Sequence, residues 1–113
     1  MSECIFCKIV SQEIPAPLIY EDDVCVAFND LNPQAPTHAL VIPKAHCEKI
    51  GDYEEKDATL VAGVMLAACK VAKQLGVGDG FRLVTNNGAA AGQSVFHWHV
   101  HVLGGRAMSW PPG

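Results

Sequence analysis

Three histidines alternate with apolar residues in His97-Trp98-His99-Val100-His101-Val102-Leu103. On a strand, residues two apart share a face, so His97, His99 and His101 line one side while Trp98, Val100 and Val102 line the other. A solvated face would be served as well by Ser, Thr or Lys, and histidine is an uncommon choice for one. His-x-His on a strand can build a metal site with neighbouring side chains. His97 and His101 match half of a zinc-finger spacing, but strand positions four apart lie on the order of 13 Å apart, too far for one tetrahedral ion. A third reading is nucleophilic catalysis. A neutral imidazole can attack phosphorus while its neighbours hold its tautomer and handle the leaving-group proton near neutral pH. The loop before the strand adds Gly88, Gly92, Gln93 and Ser94, with backbone N–H groups, an amide and a hydroxyl. It contains no Gly-Lys-Ser or Gly-Lys-Thr, which excludes a P-loop nucleotide hydrolase.

Cysteine supplies a second chemistry. Cys4-x-x-Cys7 lacks the βαβ setting of a thioredoxin-type redox pair, and as half of a zinc site it needs two further ligands. Its plain alternative is two reduced, partly buried thiols. Cys4, Cys7, Cys25, Cys47 and Cys69 are odd in number, so full disulfide pairing would leave one over. Met1-Ser2-Glu3 leads into Cys4 with neither a basic nor an apolar leader segment, and the expectation is a reduced, cytoplasmic protein. The longest apolar stretch, Ala58 to Cys69, is broken by Thr59 and Gly63 and is far shorter than the roughly 20 residues of a membrane span.

These groups must be positioned by a chain of 113 residues, read as one domain over 1–113. Half of the residues are apolar and 18% charged, the composition of a folded globule. A net charge of −4 argues against coating nucleic acid or binding anionic membranes, both of which need surplus Lys and Arg. Cys4 to Val10 reads as a short helical turn, stopped by Ile14-Pro15-Ala16-Pro17. Leu18-Ile19-Tyr20 and Val24 to Phe28 flank an acidic turn as a hairpin. Asn29 to Pro36 is a loop, and Ala39 to Ile42 a third strand closed by Pro43. Asp52 and Glu55 have capping-box spacing. Leu60, Val64, Ala68, Val71 and Leu75 then recur at helical steps until Gly76, opposite Lys56, Lys70, Lys73 and Gln74. Phe81 to Thr85 and Val95 to Leu103 complete an α+β domain with an antiparallel sheet.

The triad segment resembles the His-φ-His-φ-His-φ-φ signature (φ apolar) of the histidine triad (HIT) superfamily. Ile5 to Ile9, Glu13 to Ala16, Tyr20 to Asp23, Ala27 to Asp30, Pro33 to His38, Val41 to Lys44, Gly92 to Val95, the run to Arg106 and Trp110 to Gly113 resemble its nucleotide-binding Hint branch. The resemblance implies a HIT-like fold of about five antiparallel strands, one long helix and a short N-terminal helix, with the sheet extended across a homodimer. It also implies a purine nucleoside phosphoramidate or acyl-nucleotide hydrolase in which His99 becomes nucleotidylated. On that similarity His101 contacts the phosphate, Ser94 lies near the leaving group, and His97 and His38 orient the triad. Asn86, Gly92, Gln93 and Val95 complete the phosphate end. Asp30 takes the ribose hydroxyls, and Ile5, Phe6, Ile9, Phe28 and Leu31 wall the base.

Taken singly, the apolar residues read as core, Asp30 as an Asx-turn residue and His38 as a structural histidine. Members of the family with the N-terminal Cys pair imply a structural zinc on Cys4, Cys7, His46 and His97, with no organic cofactor. The competing functions are a dinucleoside polyphosphate hydrolase of the same superfamily and a nucleotide-binding regulatory module with incidental turnover. His101 argues against a uridylyltransferase-type enzyme, which carries Gln there. Trp98 stands where the family usually has a smaller aliphatic residue, and Ser109 where a His often occurs.

Overall fold

The computed structural model describes residues 3–113; Met1 and Ser2, part of the opening read for a leader, lie outside them. The fold is α+β. A five-stranded antiparallel sheet runs in the order β1-β2-β3-β5-β4, built from β1 (Leu18–Glu21), β2 (Cys25–Asn29), β3 (Thr37–Pro43), β4 (Phe81–Val84) and β5 (Val100–Gly104). A short helix α1 (Ile5–Val10) and a long helix α2 (Ala58–Gln74) complete it. Among the described residues no helix is long and apolar enough to cross a membrane.

Side-chain alternation divides the central strands between two covers. Cys25, Ala27, Ala39, Val41, Val100 and Val102 pack with Val64, Ala67, Ala68, Val71 and Ala72 of α2. Val26, Phe28, Leu40 and Ile42 point the opposite way, onto Phe6 and Ile9 of α1. The register that pairs Ala27 with Val41, and Val41 with Val100, keeps each set on its own face. Alanines on both sides of the larger interface bring helix and sheet close together, and burying such apolar area contributes about 25 cal/mol per Å².

Local chemistry explains the ends of these elements. The Cys4 sulfur caps α1 by accepting from the Cys7 N–H. The acidic turn is held by Asp22, whose Oδ1 accepts from the Val24 and Cys25 N–H groups at 2.8 and 2.9 Å. Gly104, at the end of β5, is tight: an added Cβ would stand 2.8 Å from Val77 Cβ.

Two expectations need correction. The capping box is formed by Glu54 and Asp57, with the Glu54 N–H donating to Asp57 Oδ2 at 3.0 Å, not by Asp52 and Glu55. Those two residues lie in separate 3-10 turns, and Lys56 in the second of them, because the chain makes two tight turns before α2 begins. The last strand begins at Val100, not Val95. Its partner β3 ends at Pro43, which has no N–H to extend the ladder, and the Trp98 N–H donates instead to the Cys47 carbonyl at 2.7 Å. The alternation survives this irregularity: Trp98 still enters the α2 core, while His97 and His99 face Phe6.

Candidate active site

Two imidazoles of the triad, His97 and His99, are fixed by backbone carbonyls, and the third, His101, by the side chain of His38. His99 donates from Nδ1 to the His97 carbonyl at 2.8 Å, since a carbonyl can only accept. In the neutral form of the ring the lone pair then lies on Nε2. Phe6 packs edge-on against this ring at 5.2 Å, and the His101 ring lies 5.0 Å away. The ring is thus held from two sides, with Nε2 left as the nitrogen that makes no hydrogen bond to the backbone.

His101 has the opposite tautomer. The Gln34 N–H donates to His38 Nδ1 at 2.9 Å, so the hydrogen of His38 sits on Nε2. That Nε2–H faces His101 Nδ1 at 2.9 Å, which must accept, leaving His101 with its hydrogen on Nε2. Asp30 Oδ2 lies 3.3 Å from the same His38 nitrogen, and Asp30 Oδ1 accepts from the Asn32 N–H at 2.8 Å. Asp30 is therefore an Asx-turn residue and a member of the histidine cluster at once. Burial, then the neighbouring His99 and His38 rings, push His101 down to about 4 despite Asp30. Burial likewise lowers His38. Both stay neutral near pH 7. Asp30, His38 and His101 are close enough to hold a cation, but the hydrogen on His38 Nε2 occupies the nitrogen that would bind it.

His97 is fully buried and turns away from the other two. It donates from Nε2 to the Pro43 carbonyl at 2.8 Å, so its Nδ1 lone pair points toward Cys4 Sγ at 3.3 Å, Cys7 Sγ at 3.5 Å and His46 Nδ1 at 3.1 Å. Cys7 Sγ lies 3.4 Å from His46 Nδ1. The ligand atoms of Cys4, Cys7, His46 and His97 lie within 4.8 Å of one another, close enough to hold one metal ion. The Pro43 contact is the second partner a ligating histidine needs to fix its ring. Among the described residues no disulfide joins any of the five cysteines. Cys25 is buried, Cys47 and Cys69 partly so.

Ile5, Ile9, Phe28 and Leu31 line an apolar cavity of about 280 Å³ with Ile14, Pro15, Ala16, Pro17 and Asn29. Phe6 stands behind it, against Phe28, His97 and His99. Leu31 is wholly exposed among the lining residues and is not part of the core.

Gly92 and Ser94 are exposed on the loop before the triad, with Val95 half-buried beside them and Asn86 close to Gly92. Gln93 is buried, and its side chain is consumed internally: Oε1 accepts from the Gly88 N–H at 2.7 Å, and Nε2 donates to the Glu48 and Val95 carbonyls at 2.7 and 3.0 Å. Its amide shapes the loop.

Sequence reasoning missed the contributions of Gln34, Pro43 and Ile14. The first two act through backbone atoms that carry no residue-type signal, and Ile14 reads as ordinary apolar chain.

Comparison with known proteins agrees with this geometry. The family model described as the HIT domain matches residues 11–108. An uncharacterized HIT-like protein of Synechocystis sp. is 54% identical over 111 residues, 98% of this chain and 97% of that protein. The crystal structure of a HIT family hydrolase from Legionella pneumophila superposes with a TM-score of 0.95 at 48% identity, over 98% of this chain and 100% of that one. A HIT family hydrolase from Clostridium thermocellum gives a TM-score of 0.91 at 45% identity, over 96% of each chain. The alternating histidines, the strand order around them and these similarities all lead to one assignment: the chain belongs to the HIT domain family and has the fold of HIT family hydrolases.

Proposed function

We propose that the protein hydrolyses purine nucleoside 5′-phosphoramidates and acyl nucleotides through a covalent nucleotidyl adduct on His99. The observation that carries this reading is the pairing of opposite tautomers: a bare Nε2 on His99 beside an Nε2–H on His101. In the first step the His99 Nε2–P bond forms as the P–N bond breaks. The electron pair leaves with nitrogen, which takes a proton from the Ser94 hydroxyl, itself reprotonated by a neighbouring water that is left as hydroxide. In the second step that hydroxide attacks phosphorus, the N–P bond breaks and its electron pair returns to His99. The products are a nucleoside monophosphate and an amine, and His101 donates to a phosphoryl oxygen throughout. The 280 Å³ cavity suits a flat, uncharged base, and Asp30, between the lining residues Asn29 and Leu31 in the chain, suits ribose hydroxyls.

A structural zinc on Cys4, Cys7, His46 and His97 is part of this proposal. Zn–N near 2.0 Å and Zn–S near 2.3 Å give tetrahedral edges of about 3.3 to 3.6 Å. The observed N···S separations, 3.3 to 3.5 Å, match those edges, and the N···N separation of 3.1 Å is slightly shorter. When bound, the ion would cross-link α1 to the triad. A homodimer that continues the sheet past its β4 edge, in the cytoplasm, completes the reading. Met65 and Leu66 on α2, 36% and 62% exposed, are apolar surface that a partner would cover.

The test is a quenched reaction with adenosine 5′-phosphoramidate read by mass spectrometry. One added nucleotidyl group is expected, absent in His99→Ala. Nucleotide binding with neither adduct nor product would favour the regulatory module and defeat the hydrolase.

A further inference from the structure

Trp98, Thr85 and His99 form a chain of hydrogen bonds whose direction has only one solution. The Trp98 indole can only donate, and its Nε1–H points at Thr85 Oγ1 at 2.8 Å. The same Oγ1 lies 2.8 Å from the His99 carbonyl, which can only accept. The single hydroxyl hydrogen of Thr85 must therefore go to His99. Trp98 supplies the other half of that geometry, and each bond polarises the next.

The chain sits where the sheet has stopped helping. Val84 opposite His101 is the last pair of the β4–β5 ladder, and Val41 opposite Val100 the last of β3–β5. His99 is two residues beyond the first of these pairs and one beyond the second. Its carbonyl is held by a side chain in place of a ladder bond, and the orientation of that carbonyl sets the peptide plane from which the His99 ring projects. Trp98 is wholly buried, wedged against Tyr53 with ring centres 5.2 Å apart, so the donor at the head of the chain does not move.

We infer that Thr85 is a positioning residue for the His99 nucleophile, oriented for that task by the Trp98 indole. The inference rests on the proposed role of His99, and it gives a function to the one triad-segment residue whose size departs from the family pattern. Thr85 does not touch the reacting atoms. It limits how far the backbone of His99 can rotate, and hence how often Nε2 is aimed at phosphorus.

The experiment compares wild type, Thr85→Val, Thr85→Ser and Trp98→Phe in single-turnover nucleotidylation. Alongside it, long-range 1H–15N spectra of the His99 ring report its tautomer without turnover. Thr85→Val keeps the shape and removes the hydroxyl. It should slow adduct formation about tenfold with KM unchanged, and its ring spectrum should show exchange between tautomers in place of a single Nδ1–H form. Thr85→Ser should restore the rate to within about twofold. Thr85→Val combined with Trp98→Phe should be no slower than the slower single variant, because both cut the same chain. A Thr85→Val protein with the wild-type rate and the wild-type ring spectrum overturns the inference, even with a lowered melting temperature. If the wild type itself forms no adduct, the proposed function fails and the ring spectra alone decide the positioning role.

Discussion

His38 donates from Nε2 to His101 Nδ1 across 2.9 Å, and the Gln34 N–H on the far nitrogen of His38 is what dictates that direction. A main-chain group in the loop before β3 thereby chooses the tautomer of a side chain on β5. His101 is left presenting a hydrogen, and His99 a lone pair, on adjacent rings.

Removing the donor should expose this dependence. His38→Phe fills the volume but leaves His101 Nδ1 without its partner, so the ring can carry its hydrogen on either nitrogen. Nucleotidylation should slow about tenfold or more, with a small change in nucleotide affinity. Stopped single-turnover kinetics and equilibrium binding measure the two effects separately. Equal rates in variant and wild type would remove His38 from the relay.

The low proton affinity of His101 makes a stability prediction. Its pKa of about 4 in the folded protein lies below the 6.5 of an unperturbed histidine, so between these values the unfolded chain binds more protons. The His101 contribution is fully present above about pH 6.5 and is lost as pH falls toward 4, with a ceiling of about 3 kcal/mol. Urea unfolding of wild type and His101→Gln at pH 7.5 and pH 4.5 checks the sign, with the pH values chosen to bracket roughly that window. The variant should lose less stability on acidification, because contributions common to both proteins cancel. A steeper loss in the variant would contradict the assignment.

Metal analysis addresses the Cys4, Cys7, His46 and His97 cluster. About one zinc per chain is expected, lost in Cys7→Ser, since a closed structural site needs all four donors. Chelation should lower the melting temperature of the wild type and leave that of the variant unchanged. A wild-type protein that is metal-free after preparation with zinc present would reject the site.

Gln93 should prove structural. All three of its side-chain hydrogen bonds go to loop backbone, so Gln93→Glu replaces a buried NH₂ donor with an acceptor facing the Glu48 and Val95 carbonyls. A destabilisation of about 2 to 3 kcal/mol is expected by denaturant unfolding. A variant as stable as wild type, with nucleotide binding alone impaired, would return Gln93 to the phosphate end.

Period-two alternation was legible from the outset. Trp98, Val100 and Val102 had to share a face opposite the three histidines, and the recurrence of Val64, Ala68 and Val71 had to bury one side of a helix. Those patterns, with the Pro-rich stop after α1 and the acidic turn before β2, specify an α+β domain carrying a row of imidazoles. The start of the last strand was not legible, because it depends on a proline in the neighbouring strand β3, distant in sequence. Nor was the capping box, since Asp52 and Glu55 have the right spacing and only the path of the chain selects Glu54 and Asp57.

The sequence by itself determined which side chains could do chemistry and that three of them would lie close together. Only the tertiary structure decided their protonation patterns. The deciding partners are the carbonyls of Pro43 and His97 and the N–H of Gln34, at separations from 2 to 54 residues. Backbone groups are the same at every residue, so no local pattern of side chains can announce which one will meet an imidazole. The fold does so by bringing them within hydrogen-bond distance.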